Sequence, residues 1–499
     1  MPRTLIGVDS TGIGCIKIMK SNSDNPVTTA DTARSKFLYN SKFDVQPHLF
    51  AFHAFNYNAT ALAYNPSGSG ASNYDYCVSG GIYYIRKSYF DGMQYNMPLF
   101  DVKAVRNSTW PALRYKQNTV QRKWSGKYYQ DNGGYYATMG AQIPPWAANI
   151  DTNNSAFGTL NFGIAGLTTS DADDNDAYNL DESRQLTVVI WDLPGNSGAI
   201  TDAQPTTPTA GKRAVRITSS SLKIAKPGYD AATATGTQLA FDSSRNGIKI
   251  IAAADVSMPT GNSEYDTGID LPDDVQADVH FYQTGSIYYP SNPGDLEFGA
   301  DYYFSGTKIK FVNGKGAGRA RFMIYARDGS AASSGSNKVL RQTTIGGVDV
   351  VQFLRPGSGL IPKFADIVID SRWPAVQLLA EGHFAVGTGQ LTEVINVPNA
   401  SGMFLMVKYM TTHGAGSWRD DSFTSAVRMP FVKTLLKNGA QAGDSTYARI
   451  IGSQVTFFTF RGNPGDIYQD ADESGHPEVT EAVEIPVTGI RYYIFGIPA

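Results

Sequence analysis

The sequence predicts an all-β protein of two tandem, homologous β-sandwich or jelly-roll-like domains, the second enlarged by an insertion. Three observations carry that expectation: composition, the length and flanks of the apolar segments, and an ordered series of internal matches. Charged residues make up only 17 % of the chain and aromatics 12 %, with 50 Gly and 28 Tyr among 499 residues. Aromatic and β-branched side chains suit a pleated, half-buried surface, and abundant Gly suits the tight turns between short strands. A chain of this length exceeds one ordinary core, so more than one unit is expected.

The strongest segments are strands. LTVVIWDL, TKIKFV, ARFMIYAR, MFLMVKYM, QVTFFTFR and YYIFGI are short, rich in Val, Ile, Phe and Tyr, and bounded by Gly, Asn, Asp or Pro. Several alternate apolar with polar residues, as half-buried antiparallel sheets require. One helix is expected over Phe423 to Gln441, where Val432, Leu435 and Leu436 share a face and Asn438-Gly439 supplies a stop.

Internal matches set the domain organisation. IKIMKSNSDNPVTTADTARSKFLYNS (Ile16 to Ser41) aligns with LKIAKPGYDAATATGTQLAFDS (Leu222 to Ser243), placing Lys20 on Lys226, Asp24 on Asp230, Tyr39 on Phe241 and Ser41 on Ser243. GGIYY (Gly80 to Tyr84) recurs as GSIYY (Gly285 to Tyr289), and VRNSTWPAL (Val105 to Leu113) as VIDSRWPAV (Val368 to Val376). Two acidic loops, GIAGLTTSDAD (Gly163 to Asp173) and GNPGDIYQDAD (Gly462 to Asp472), follow in the same order. The Pro/Thr/Ala/Gly-rich stretch around residue 200 is an exposed connector. The expected division is an N-terminal domain of residues 1–198, a linker of 199–211, and a C-terminal domain of 212–499 with its insertion at about 290–360.

A formal charge of −3 gives no extensive basic footprint, so nucleic acid is not an expected partner. No apolar run approaches the roughly 20 residues that span a bilayer, so no membrane insertion is expected. MPRTLIGVDS lacks the charged and apolar regions of a signal peptide, which points to assembly in a cytoplasm. Cys15 and Cys77, the only cysteines, exclude a disulfide framework and a four-cysteine zinc site. His48, His53, His280, His383, His413 and His476 are scattered without metal-ligand spacing.

Candidate chemistry is sparse. LIGVDSTGIGCIK offers Asp9, Ser10, Thr11 and Gly12 as a small-residue hairpin that can cradle phosphate through backbone N–H groups. The corresponding segment of the second half, Thr218 to Ser221, has neither the Asp nor the glycines, which favours an entry hairpin. The acidic loops Asp171 to Glu182 and Asp470 to Glu481 approach the spacing of a twelve-residue calcium loop. Their strand-like flanks, Pro477 and the Asp176 that replaces a turn Gly favour a solvated turn. Trp110 and Trp373, each followed by Pro, can stack on a sugar if exposed or anchor a turn if buried. Asp295, Glu297 and Asp301 near Tyr302 and Tyr303, and Asp420 and Asp421 after Trp418, are acids whose spacing establishes no glycosidase pair. No nucleophile elbow, Walker loop or H-E-x-x-H occurs, so the sequence nominates no catalytic, metal or cofactor residue.

The segments KIAKPGYDAATATGTQLAFDSS, SRWPAVQLLAEG and IRYYIFGIP resemble a module of small β-rich proteins encoded among the virion and tail genes of tailed bacteriophages. Pro227-Gly228, Asp230, Thr233-Ala234 and Phe241 to Ser244 carry the resemblance, with Trp373-Pro374 and Trp110-Pro111 as its W-P element. What the resemblance implies is a non-enzymatic virion protein of the tail, baseplate, collar or fibre apparatus, working as a homo-oligomer among other virion proteins. The alternatives are a carbohydrate-binding adhesin that contacts host surface glycan and, behind it, a polysaccharide-degrading tail protein.

Overall fold

The structure, a computed structural model, describes residues 3–43, 209–218, 221–235, 238–242, 248–272, 275–282, 285–289, 301–313, 316–327, 339–355, 357–387, 391–413, 446–459 and 487–498. It also gives the backbones of further strands within 50–191 and 416–482. Strand accounts for 60 % of the interpretable residues and helix for 3 %, so the chain is all-β. All six segments expected as strands are strands: Gln185–Trp191, Lys308–Asn313, Gly318–Arg327, Met403–His413, Gln454–Thr459 and Val487–Pro498. Among the described residues no helix is long and apolar enough to cross a membrane.

Three small antiparallel sheets organise the rest. Unit I consists of an outer strand Thr4–Val8, a middle strand Gly14–Met19 and a return strand Phe37–Asn40. Unit II has Val215–Ile217, Leu222–Ala225 and Leu239–Asp242 in those places, and unit III has Leu340–Ile345, Val348–Leu354 and Ile367–Asp370. The three match residue for residue. Ile18 faces Tyr39, Ile224 faces Phe241 and Phe353 faces Ile369, and in each unit the register shifts immediately afterwards. Beyond the shift, the N–H groups of Lys20, Lys226 and Arg355 donate to the carbonyls of Lys36, Gln238 and Asp366 at 2.8–2.9 Å. A bulge inherited at one position in three sheets is a strong sign of common construction, because bulges fix register and twist.

Middle and return strands turn one face inward, as the two-residue period of a strand requires. Ile16, Leu222 and Val351 occupy one matched position, Ile18, Ile224 and Phe353 the next, and Tyr39, Phe241 and Ile369 a third. All nine lie in a single buried cluster. Matched positions meeting one another are what a threefold arrangement produces, here within one chain. Main-chain contacts bind the units further, with the N–H of Ala375, just past unit III, donating to the carbonyl of Leu38 at 2.9 Å.

Each unit is followed by a sheet in which the last strand in chain order lies in the middle. After unit I the order is Phe50–Asn56 against Gln185–Trp191 against Leu99–Arg106. After unit II it is Ile248–Met258, Gly318–Arg327 and Val275–Tyr282, and after unit III Gln377–Ala385, Val487–Pro498 and Met403–His413. A second sheet shares the core of the latter two. Gly261–Asp266, Lys308–Asn313 and Asp301–Ser305 contribute Tyr265, Ile309, Phe311 and Tyr302 beside Val279 and Phe322. Leu391–Asn396, Gln454–Thr459 and Tyr447–Ile451 contribute Ile395, Val455, Phe457 and Ile450 beside Val407 and Ile494. Both hairpins in these second sheets turn through a left-handed glycine, Gly306 at φ 61° and Gly452 at φ 55°, where a side chain would be strained.

Three expectations from the sequence are corrected. The region of about 290–360 is no insertion: it holds Asp301–Ser305, Lys308–Asn313 and Gly318–Arg327, which complete sheets begun at Ile248, and then opens unit III. Asp370 to Trp373 corresponds to Asn40 to Phe43, and Val105, which the sequence match sets on Val368 of the unit III return strand, lies instead in Leu99–Arg106 of the sheet that follows unit I. Ser41 and Ser371 make the same pair of bonds, each hydroxyl accepting from the N–H of Ile16 or Val351 at 3.0 Å while its own N–H donates back to that residue's carbonyl. The stretch 423–441 forms strands Ala426–Arg428, Val432–Leu435 and Gln441–Ala442 instead of a helix. Pro430 stands inside it, where a helix loses a donor and about 3 kcal/mol, and Val432–Leu435 gains a ladder with Tyr135–Gly140.

Replacing Ile224, at the centre of the inter-unit cluster and fully buried, by Ala is expected to destabilise the protein by about 2–5 kcal/mol. Combined with Phe353→Ala the loss should depart from the sum of the two by about 0.5–3 kcal/mol, because both side chains share one cavity. Denaturant unfolding of the single and double variants measures both quantities.

Candidate functional site

The hairpin between the outer and middle strands of unit I is the first candidate. Asp9 stands at its start, 5 % exposed, and gathers the turn around its carboxylate. Its Oδ1 accepts from the Thr11 N–H at 3.0 Å and the Thr11 hydroxyl at 2.6 Å, and its Oδ2 accepts from Lys17 Nζ at 2.7 Å and from Lys42 Nζ. Asp31 bridges the same two lysines, at 2.9 Å from Lys17 and 2.8 Å from Lys42. The N–H groups a phosphate would need are already used. That of Asp9 donates to Ile13, that of Ser10 to Val27 and that of Gly12 to Asp9, at 2.9–3.1 Å. The site is therefore a structural ion network, and Gly12, at φ 79°, serves the turn.

The network elaborates a contact present in all three units. The middle-strand residue turned away from the apolar cluster meets a polar residue of the return strand: Lys17 opposite Asn40, Lys223 3.5 Å from Asp242, and Gln352 2.6 Å from Asp370. Two residues beyond, Lys42 and Arg372 hold matched places, and Arg372 forks onto Asp370 at 2.9 and 2.7 Å.

Burial alone would raise the Asp9 carboxyl, but hydrogen bonds from Lys17, Lys42 and Thr11 outweigh it and hold the group far below the ordinary carboxylate range. Asp31 is lowered in the same way, burial being outweighed by Lys42 and Lys17. Burial pushes the neighbouring Cys15 thiol up to about 11, so this cysteine is a packed, unreactive side chain.

The other nominated residues divide between packing and positions outside the description. Trp373 is buried, with its ring 5.0 Å from that of Phe364, so it anchors a turn and offers no face to a sugar. Tyr302 is wholly buried and donates its hydroxyl to the Ala277 carbonyl at 3.1 Å. Trp110, Asp171 to Glu182, Asp295, Glu297, Asp420, His48 and His476 lie outside the described residues, as does most of Asp470 to Glu481. For Cys77, His53, His413, Trp418, Asp301 and Asp421 the structure gives strand backbone only. Among the described residues no group of three or more His, Cys, Asp or Glu side chains is placed to hold a metal ion.

Sequence reasoning missed the seams between the successive bodies that follow the three units. Arg114–Lys116 pairs with the second sheet that follows unit II, Tyr115 opposite Tyr302. Ile287–Tyr289 pairs in the same register with the sheet that follows unit III, Tyr289 opposite Ala448. Val432–Leu435 pairs with Tyr135–Gly140 in the first body, so the exchange runs from first to second to third and back to first.

The second of these seams is polar and buried. Val275–Tyr282 is buried along its whole length, with Val275, Ala277, Val279 and Phe281 in its own core and Gln276 on the other face with Asp278 and His280, which lie against the next body. Asp278 lies 3.6 Å from Lys408, both 4 % exposed. Arg321 donates to the Leu405 carbonyl and lies 3.6 Å over the ring of Phe404, while His280 packs 4.0 Å from the ring of Tyr289. Burial, with Arg321 nearby, lowers His280 to about 3, so it stays neutral at physiological pH. A strand carrying Gln, Asp and His on alternate residues reads as solvent-facing, which is why the seam was hidden from the sequence.

No protein-family model, curated protein or solved structure matches the chain.

Breaking the ion network by Lys42→Met should cost about 3–5 kcal/mol at pH 7, since it strands buried carboxylate charge. Asp9 and Asp31 are depressed in the folded state, so their contribution is full above about pH 4 and is lost as pH falls further. Asp9→Asn is therefore expected to flatten the acid limb of the stability–pH curve, measured by urea unfolding between pH 2 and pH 7.

Proposed function

We propose that the chain is a structural protein of a bacteriophage virion, belonging to the tail, baseplate, collar or fibre apparatus, and that it acts by assembly. The observation that carries this reading is the construction of a threefold scaffold inside one polypeptide: three strand-matched units on a common core. An architecture of this kind devotes its buried polar groups to holding bodies together. Asp278 and Lys408 are spent in that way, and Asp9, Lys17 and Lys42 are spent on closing unit I. The phage-like motif contributes the setting, since Pro227-Gly228, Asp230 and Phe241 fall within unit II and Trp373-Pro374 closes unit III.

The reading is tested on purified particles carrying an epitope on this chain. Electron microscopy with a gold-labelled antibody is expected to find the label at one fixed place on every particle. Abundant chain in infected cells but none in purified particles would end the proposal.

A further inference from the structure

The ion network of unit I contains a carboxamide as well as its lysines and aspartates. Asn40 lies opposite Lys17 in the pairing of return and middle strands, so the two side chains share a face. Asp31 binds both through one oxygen: its Oδ1 is 2.9 Å from Lys17 Nζ and accepts from Asn40 Nδ2 at 3.3 Å. The carboxamide oxygen of Asn40 accepts from the backbone N–H of Lys42 at 3.1 Å. A primary amine, a carboxamide, a carboxylate that touches both nitrogens and an N–H on the carbonyl oxygen are the parts that amide exchange needs: nucleophile, electrophile, proton carrier and oxyanion donor.

Units II and III show what belongs to the turn alone. The N–H of Arg372 donates to Asp370 Oδ1 at 2.9 Å, as that of Lys42 does to Asn40. Unit III has no amine to react, because Gln352 stands in the place of Lys17. Unit II has Lys223, but the residue opposite is Asp242, a carboxylate whose negative charge resists attack by an amine. Unit I sets a lysine against a carboxamide, and the two are 1 % and 0 % exposed, so water does not compete for either.

We propose that Lys17 and Asn40 join in a side-chain amide, an isopeptide bond, formed by the folded chain itself with Asp31 carrying the proton. Asp31 takes a proton from the Lys17 ammonium, which turns a buried ion pair into a neutral amine and a carboxylic acid. The amine keeps an N–H on Asp9 Oδ2, 2.7 Å away, and its lone pair attacks Asn40 Cγ. The Nζ–Cγ bond forms while the carbonyl oxygen gathers negative charge beside the Lys42 N–H. Asp31 gives its proton to Nδ2, the Cγ–Nδ2 bond breaks, ammonia leaves, and Nζ returns one proton to Asp31. The ammonium, carboxamide and carboxylate have then become an amide, free ammonia and a carboxylic acid, with nothing oxidised or reduced. Asp31, its side chain 22 % exposed, gives the ammonia its way to solvent, and Asp9 keeps its pair with Lys42. The bond ties the middle strand of unit I to its return strand.

The bond is independent of the virion reading and is tested by mass spectrometry of the purified full chain. The intact protein is expected to be lighter than its sequence by one ammonia. Trypsin digestion after denaturation is expected to yield residues 4–20, uncut after Lys17, joined to residues 37–42. Lys17→Arg removes the nucleophile and keeps a cation, and Asp31→Asn removes the proton carrier. Both variants are expected at full mass, with the two peptides separate. Where a variant fails to fold, the digest of the natural chain decides alone. Separate peptides from the natural chain would overturn the proposal, whether at full mass or with an ammonia lost to cyclisation of an asparagine elsewhere. Joined peptides that persist in Asp31→Asn at the natural yield would overturn the role of Asp31 and with it the proposed route.

Discussion

The meeting of Ile18, Ile224 and Phe353, with their matched neighbours above and below, is the contact on which the rest of this molecule depends. None of the three-stranded units buries its apolar face by itself, and a lone sheet of that size has little independent stability in water. Stacked against each other, the three sheets acquire a common interior and fix where the three larger bodies begin. The strand exchange between those bodies follows from that placement. A short strand such as Ile287–Tyr289 pairs with the edge of the next body. Tyr289 then enters the neighbour's core, where its carbonyl lies 3.0 Å from the buried Tyr409 hydroxyl.

Polar groups do the complementary work of specifying which faces meet. The face of each middle strand turned away from the cluster carries Lys17, Lys223 or Gln352, each answered from the return strand. In unit I the answer has grown into two lysines and two aspartates. Buried ion pairs of this kind add little to net stability compared with apolar packing, but a mispaired alternative leaves a bare charge inside the protein. The same reasoning applies to Asp278 and Lys408 across the second seam.

The strands were legible in the sequence because their signal is local: a run of Val, Ile, Phe or Tyr between turn residues. The hairpin of LIGVDSTGIGCIK was legible for the same reason, and comparison with Thr218 to Ser221 was enough to set aside a phosphate cradle. Unit III was not legible. Its middle strand has Gln352 in the place of Lys17 and Lys223, and its connection to the return strand is shorter than that of unit I. The Trp-Pro pair after it recurs at Trp110-Pro111, whereas unit I has Phe43 in the matched place. The role of Asp9 was hidden by distance, since its partner Lys42 lies 33 residues on. The helix expected over 423–441 gives way to strands because three aligned apolar residues do not offset the donor that a helix loses at Pro430.

Joining the three units in one polypeptide changes how the assembly behaves on dilution. Three separate chains would meet with a cost that rises as concentration falls, whereas tethered units face each other at an effective concentration set by the connecting segments. The cluster therefore persists in a single molecule. Tethering also frees each unit from identity with the others, because a substitution in one need not appear in all three. Gln352 in the place that Lys17 and Lys223 hold, and the ion network found in unit I, are differences that identical subunits cannot hold.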